Sequence, residues 1–118
     1  MPPAQRANPV QTVENVQEAL EVDKFVAVYL SNWDKVPVIG KVLSIGEEDF
    51  QIHYWKGTYK GRWEPQNVPR RQMPWTDVLP KDCCILGGFD LSDDMKLQPT
   101  TRKFLSQEYK RLKAAEGQ

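Results

Sequence analysis

Apolar and polar positions sort the middle of the chain into strands. FVAVYL (Phe25–Leu30) is continuously apolar, the pattern of a strand covered on both faces. SNWDKVP (Ser31–Pro37) reads as a turn or loop, and VIGKVLSI (Val38–Ile45) as a second strand. GEED (Gly46–Asp49) is a tight acidic turn. FQIHYW (Phe50–Trp55) then alternates, with Phe50, Ile52 and Tyr54 on one face and Gln51, His53 and Trp55 on the other. A one-residue register slip would exchange these faces, so the pattern leaves both orientations of Tyr54 open. KGTYKG is a glycine-bearing turn, and RWEP starts a fourth strand that Pro65 ends.

Prolines 65, 69, 74 and 80 punctuate what reads as one long loop over 64–80, long enough for a functional or interaction role, with Trp75 inside it as a buried pin. DCCILGGF (Asp82–Phe89) predicts a fifth strand, bent or bulged at Gly87-Gly88, and Ser92–Asp94 a turn. After Pro99 the periodicity changes to that of a helix, TTRKFLSQEYKRLKAA. Phe104, Leu105, Tyr109 and Leu112 form its apolar stripe, and basic residues fill its last turns, complementing the helix dipole. Upstream, Thr12 can cap a shorter helix, TVENVQEALEV, with Val13, Val16 and Leu20 on one face. Residues 1–11 read as a flexible arm, 12–113 as a single domain and 114–118 as a tail. The expected architecture is mainly β: a small antiparallel SH3-like barrel of about five strands, closed to hide its edges, with a C-terminal helix and a short N-terminal one.

Length and charge narrow the function. At 118 residues the chain is one domain, able to bury a core without metal or disulfide staples. Sixteen basic and sixteen acidic residues cancel, which argues against binding through net charge alone but leaves patches possible. No apolar run approaches the ~18–20 residues of a membrane span, and the first residues do not form a secretory signal. The two cysteines, Cys83 and Cys84, are adjacent and read as reduced packing residues, which fits a cytosolic or nuclear setting.

The expected function is non-catalytic, with no cofactor and no metal. The single histidine, His53, has no second histidine to work with, and the adjacent cysteines do not give zinc spacing. Phosphate-loop motifs are missing. Asp90, Asp93 and Asp94 lack the twelve-residue calcium pattern and read as a solvated turn.

The unusual stretch is HYWKGTYKGRW (His53–Trp63), which interleaves four aromatics with three basic residues and two glycines. Two readings stand: a ligand surface, or packing, with Trp55 and Trp63 stacked across the hairpin. Together with DKFVAVY, IGKVLSI (Gly40, Val42, Ile45) and FQIHYW, this part of the chain resembles the Tudor and chromo-barrel group of SH3-like chromatin readers. The late VLPKDCCIL strand also allows a BAH-like relative.

What the resemblance implies is an aromatic cage for a methylated lysine or arginine of a histone-type tail, in a nuclear protein. Cation–π contacts of about 0.5–2 kcal/mol each would hold the ligand. Carried over by position, the cage aromatics are Tyr29, Tyr54 and Tyr59. Val38 stands where a strand-two aromatic is usual, and Trp33 can supply that wall, with Asp34 or Glu64 as the carboxylate. Two alternatives remain. A nucleic-acid-binding barrel would use Lys56, Lys60, Arg62, Arg70 and Arg71, set against only Glu64 in that stretch, with DNA or RNA as partner and Arg102, Lys103, Lys110, Arg111 and Lys113 of the last helix added. A protein-assembly domain of a larger protein or complex would use the proline loop and the amphipathic helix.

Overall fold

The computed structural model describes residues 19–30 and 36–116. Its element order is β1 (Phe25–Val28), β2 (Val38–Ile45), β3 (Asp49–Lys56), β4 (Glu64–Pro65), β5 (Thr76–Pro80), a 3-10 turn (Lys81–Cys83), β6 (Cys84–Phe89) and helix α1 (Pro99–Glu116). The strands form one antiparallel sheet in the order β4-β3-β2-β1-β6, with β5 also paired to β3. The sheet is open, bounded by β6 at one end and the β4/β5 edge at the other, so the expected closed barrel of about five strands becomes an open sheet of six. Of the helix expected over 12–22, residues 12–18 lie outside the described residues. Glu21 to Lys24 already form a turn, with Lys24 N–H donating to Glu21 O at 3.1 Å.

The reason β1 is apolar throughout is that apolar layers cover both faces of the sheet. Val26 and Val28 point into one cluster with Val38, Val42, Phe50, Ile52, Leu79 and Cys84. Phe25 and Ala27 point into the other, under α1, with Ile39, Trp63, Ile85, Leu105 and Tyr109. Each large side chain fully buried this way contributes about 1.5–3 kcal/mol. The helix stripe meets this second cluster as its spacing requires: Leu105 and Tyr109 are buried, Phe104 and Leu112 partly so. Tyr109 also satisfies its polar end. Its hydroxyl accepts from Val38 N–H at 3.1 Å and donates to Val28 O, joining α1 to β1 and β2.

The hairpin β2–β3 has the expected bounds to within a residue, and a bulge between Val42 and Ser44 bends β2. At Gly40 a Cβ would lie 2.5 Å from His53 O and 2.6 Å from the Ile52 side chain, so only glycine lets the two strands approach there. The proposed bulge at Gly87-Gly88 is present: Val26 pairs with Gly87 and Phe25 with Phe89, leaving Gly88 over.

The proline segment 64–80 differs from expectation. It is not one long loop: β4 and β5 run in line along one edge of β3, and residues 66–75 leave that edge as a small hairpin. β4 pairs with Trp55 and Lys56, β5 with Asp49 to His53, and between them Asn67 bridges Pro74 while Val68 N–H donates to Met73 O. Pro65 and Pro80 end their strands, Pro74 lies at the isolated bridge and Pro69 in the turn beyond it. β4 and β5 share the second edge of β3 and change over at Tyr54. Its N–H donates to Trp75 O and its C=O accepts from Gln66 N–H, both at 3.0 Å.

Candidate binding cleft

A cleft of about 330 Å³ opens at the C-terminal end of β3. Tyr54 and Trp55 of β3, Trp63 before β4, Trp75 before β5 and Pro37 before β2 supply its apolar walls, and Lys56 its charge. Val38 and Tyr54 belong to the first apolar cluster, and Trp55 and Trp63 to the one under the helix, so the cleft is bordered by members of both.

Local geometry holds each ring. Trp55 meets Phe25 edge-on at 4.9 Å, and Lys41 Nζ lies 5.5 Å above the Phe25 ring and 5.6 Å above that of Trp55. Trp63 is only 2% exposed, and its backbone N–H donates to Met95 O at 2.8 Å. A Cβ on Gly57 would come within 2.4 Å of the Trp63 ring, so a bare backbone is what allows the indole to lie against the β3–β4 connection. Trp75 meets Tyr54 edge-on at 6.4 Å. The Tyr54 hydroxyl donates to Asp77 Oδ2 at 3.0 Å, and burial, then that bond, push the phenol above its ordinary value of 10.0, keeping it a neutral donor.

One polar feature is out of balance. Nε1 of Trp55 and Nε1 of Trp63 are buried without a hydrogen-bond partner, and among the described residues no other buried side-chain nitrogen or oxygen is in that position. A buried orphan donor costs about 1–3 kcal/mol. Both nitrogens are closed to solvent, so they are an unmet cost of the packing around the cleft and not groups on its open surface.

No family model, no curated protein and no solved structure matches this chain. The Tudor-like resemblance therefore rests on sequence pattern alone.

The residues expected to form a cage are dispersed. Tyr29 packs under α1, with Tyr109 at 6.3 Å and Lys113 Nζ 5.8 Å above its ring. Tyr59 lies half-buried in the same cluster, its phenol raised by that burial. Among the described residues of the expected cage, only Tyr54 lines the cleft. Glu64 is exposed on β4 and pairs with Lys56 at 3.4 Å. Trp33 and Asp34 lie outside the described residues. The expected stacking of Trp55 on Trp63 is replaced by another register, in which Pro65 stands opposite Trp55.

Of the basic set, Lys56 lines the cleft while Lys60, Arg62, Arg70 and Arg71 are exposed, Arg70 in the turn between Asn67 and Pro74. The sequence leaves Trp55 and Trp63 open between a ligand surface and mutual packing, and reads Trp75 as a pin. The repeated spacing of large aromatics from Trp55 to Pro65 was the available signal.

Other candidate chemistry is tied up. His53 Nε2 lies 3.0 Å from Gln66 O, and because a carbonyl only accepts, that nitrogen carries the proton. The Cys83 thiol donates to Pro80 O at 3.1 Å; its hydrogen bond with Cys84 holds the Cys83 thiol below its ordinary value and pushes that of Cys84 up. Among the described residues no group of three His, Cys, Asp or Glu side chains could hold a metal ion, and no helix is long and apolar enough to cross a membrane.

Proposed function

We propose that this chain is a non-catalytic module that binds a peptide segment in the aromatic cleft. The observation that carries the reading is the open cleft of about 330 Å³ walled by the rings of Tyr54, Trp55, Trp63 and Trp75 with Pro37 beside them. Binding sites are typically apolar concavities with a few convergent polar groups, and a peptide brings carbonyl acceptors together with apolar surface. A second reading keeps the methylated lysine or arginine of a histone-type tail. It is supported by the four aromatic rings of the cleft, whose faces attract a methylammonium.

Tryptophan emission reports on this site directly, since three of the four tryptophans line it. The protein is titrated with unmethylated and trimethyllysine-bearing peptides, and with single-stranded DNA at two salt concentrations. A saturable change with peptide supports the module, and a requirement for the methyl groups selects the second reading. A response confined to DNA that fades at high salt would move the function to nucleic acid, carried by Lys60, Arg62, Arg70 and Arg71.

A further inference from the structure

We infer that the cleft continues as a groove along the hairpin over 66–75 and takes an extended acidic peptide there. One apolar side chain fills the corner of Tyr54 and Trp75, a main-chain unit pairs with the side-chain amide of Gln66, and carboxylates meet Arg70 and Arg71. The inference rests on the peptide-binding reading and names the charge and register of the ligand.

The groups within a ligand's reach come first. Pro37, Val38 and Trp63 are buried and close the floor, whereas Tyr54, Trp55, Trp75 and Gln66 are half-buried and Lys56 is exposed. Gln66 has spent its backbone, giving its N–H to Tyr54 O and accepting at its C=O from Trp75 N–H and from His53 Nε2. What remains for the cleft is its side-chain amide, a donor and an acceptor on one flat group. That matches the N–H and C=O of a single residue in an extended chain, which point the same way, as in an antiparallel pair. A helical peptide keeps both for itself.

The register of the hairpin extends the surface. Trp75 N–H donates to Gln66 O and Val68 N–H to Met73 O, so Gln66 faces Trp75, Val68 faces Met73, and the Asn67–Pro74 bridge lies between. Alternation puts Val68 and Met73 on the same face as Gln66 and Trp75. Met73 is 56% exposed, an uncovered apolar step leading out of the cleft. Beyond it the chain turns, closed by Arg71 N–H on Val68 O at 3.0 Å.

That turn supplies the charge. Arg70 has φ 63°, in the left-handed region that favours glycine, so a cation stands where the backbone is best served by no side chain. Both arginines are exposed, and among the described residues neither pairs with a carboxylate. Their forked guanidinium groups select carboxylates or phosphates. The rings favour the peptide: a base stacks flat, but Tyr54 and Trp75 meet at 83°, a corner for a side chain. A row of phosphates would also pass Asp77 at the Tyr54 hydroxyl and Glu64 on the rim. Gln66 to Arg70 spans about 13 Å at about 3.3 Å per residue, so the carboxylates belong three or four residues from the apolar anchor.

The test titrates the whole chain, followed by tryptophan emission, with capped ten-residue glycine–serine peptides. One carries a leucine with glutamates three and four residues away, in each chain order. Controls replace the glutamates by lysines, replace the leucine by glycine, or carry a single trimethyllysine, and oligothymidine stands for nucleic acid. The inference expects saturable binding of the leucine–glutamate peptide, at least about tenfold tighter than any control and weaker as salt rises. Arg70→Gly with Arg71→Ser should fold at least as well, since glycine suits the left-handed position, yet bind that peptide about tenfold more weakly. Gln66→Ala should weaken it by about 3- to 10-fold.

Equal binding of the lysine peptide, a response only to the trimethyllysine peptide, or unchanged affinity in the double arginine variant would overturn the acidic register and leave peptide binding standing. Equal binding without the leucine would overturn the anchor in the cleft, and the inference with it. A response to oligothymidine alone, or to no probe, would overturn the peptide-binding reading as well.

Discussion

Two aromatic regions, both largely buried, differ in how they treat their polar atoms. Beneath α1, Tyr109 is 2% exposed and its hydroxyl is matched on both sides, taking Val38 N–H and giving to Val28 O. At the end of β3, Trp63 is also 2% exposed, yet its indole N–H has no partner, and neither does that of Trp55. Burial alone does not separate these two regions. Hydrogen-bond accounting does: the buried polar atom of the first is satisfied, and the two of the second are not.

The strongest way to break the contrast is at Tyr109. Tyr109→Ala removes a fully buried ring and is expected to cost about 3–5 kcal/mol, enough to unfold a marginal domain, as urea denaturation would show. Tyr109→Phe keeps the ring but strands Val38 N–H, with an expected loss of about 1–3 kcal/mol. Next comes Gly57→Ala. The new Cβ meets the Trp63 ring at 2.4 Å and Arg62 O at 2.8 Å, so stability should fall by about 1–3 kcal/mol and the Trp63 emission should shift, while Tyr109 is undisturbed.

A sharper comparison replaces the Trp55 indole by its benzothienyl isostere, which keeps ring and volume and deletes only the donor. Because that donor has no partner, unfolding should change by less than about 1 kcal/mol or shift toward greater stability, the reverse of Tyr109→Phe. A loss as large as that of Tyr109→Phe would mean the indole is already bonded in the folded chain.

The smaller effects lie outside both regions. Native alkylation should label Cys83 before Cys84, since the Cys84 hydrogen bond holds the Cys83 thiol low while Cys84 is raised; peptide mapping of the first adduct decides. Asp94 is held below its ordinary value of 3.8, chiefly by the Ser92 hydroxyl. A lowered folded pKa stabilises above the unfolded value and is lost as pH falls through the folded one. The wild type and Asp94→Asn should therefore converge in stability only below about pH 4, a small difference because the carboxyl is solvent-exposed.

Legibility from sequence followed the strength of the local pattern. β2 and β3 were readable because alternation and the acidic turn agree, and the two-sided burial of β1 was readable from its unbroken apolar run. The helix stripe at Leu105 and Tyr109 was equally plain. β5 was not, because Pro74 and Pro80 mask a strand whose edge tolerates them. Closure was inferred from edge avoidance, yet the sheet stays open, with α1 covering one of its faces. The site was half-legible: Tyr54 was named, but Trp63 and Trp75 depend on how β4 and β5 line up along β3, which no local pattern encodes. The orphaned donors are a property of three-dimensional packing and have no sequence signature.

The placement of β1 between β2 and β6 has a consequence for synthesis. Phe25 pairs with Phe89, and Val28 O waits for the hydroxyl of Tyr109, 81 residues further on. As the chain leaves the ribosome, the hairpin of β2 and β3 can close early, but the most apolar strand stays unsealed on one face until the last helix has emerged. A nascent chain halted before Tyr109 should therefore offer FVAV to chaperones, and release of that binding on addition of the helix would mark the moment the domain is finished.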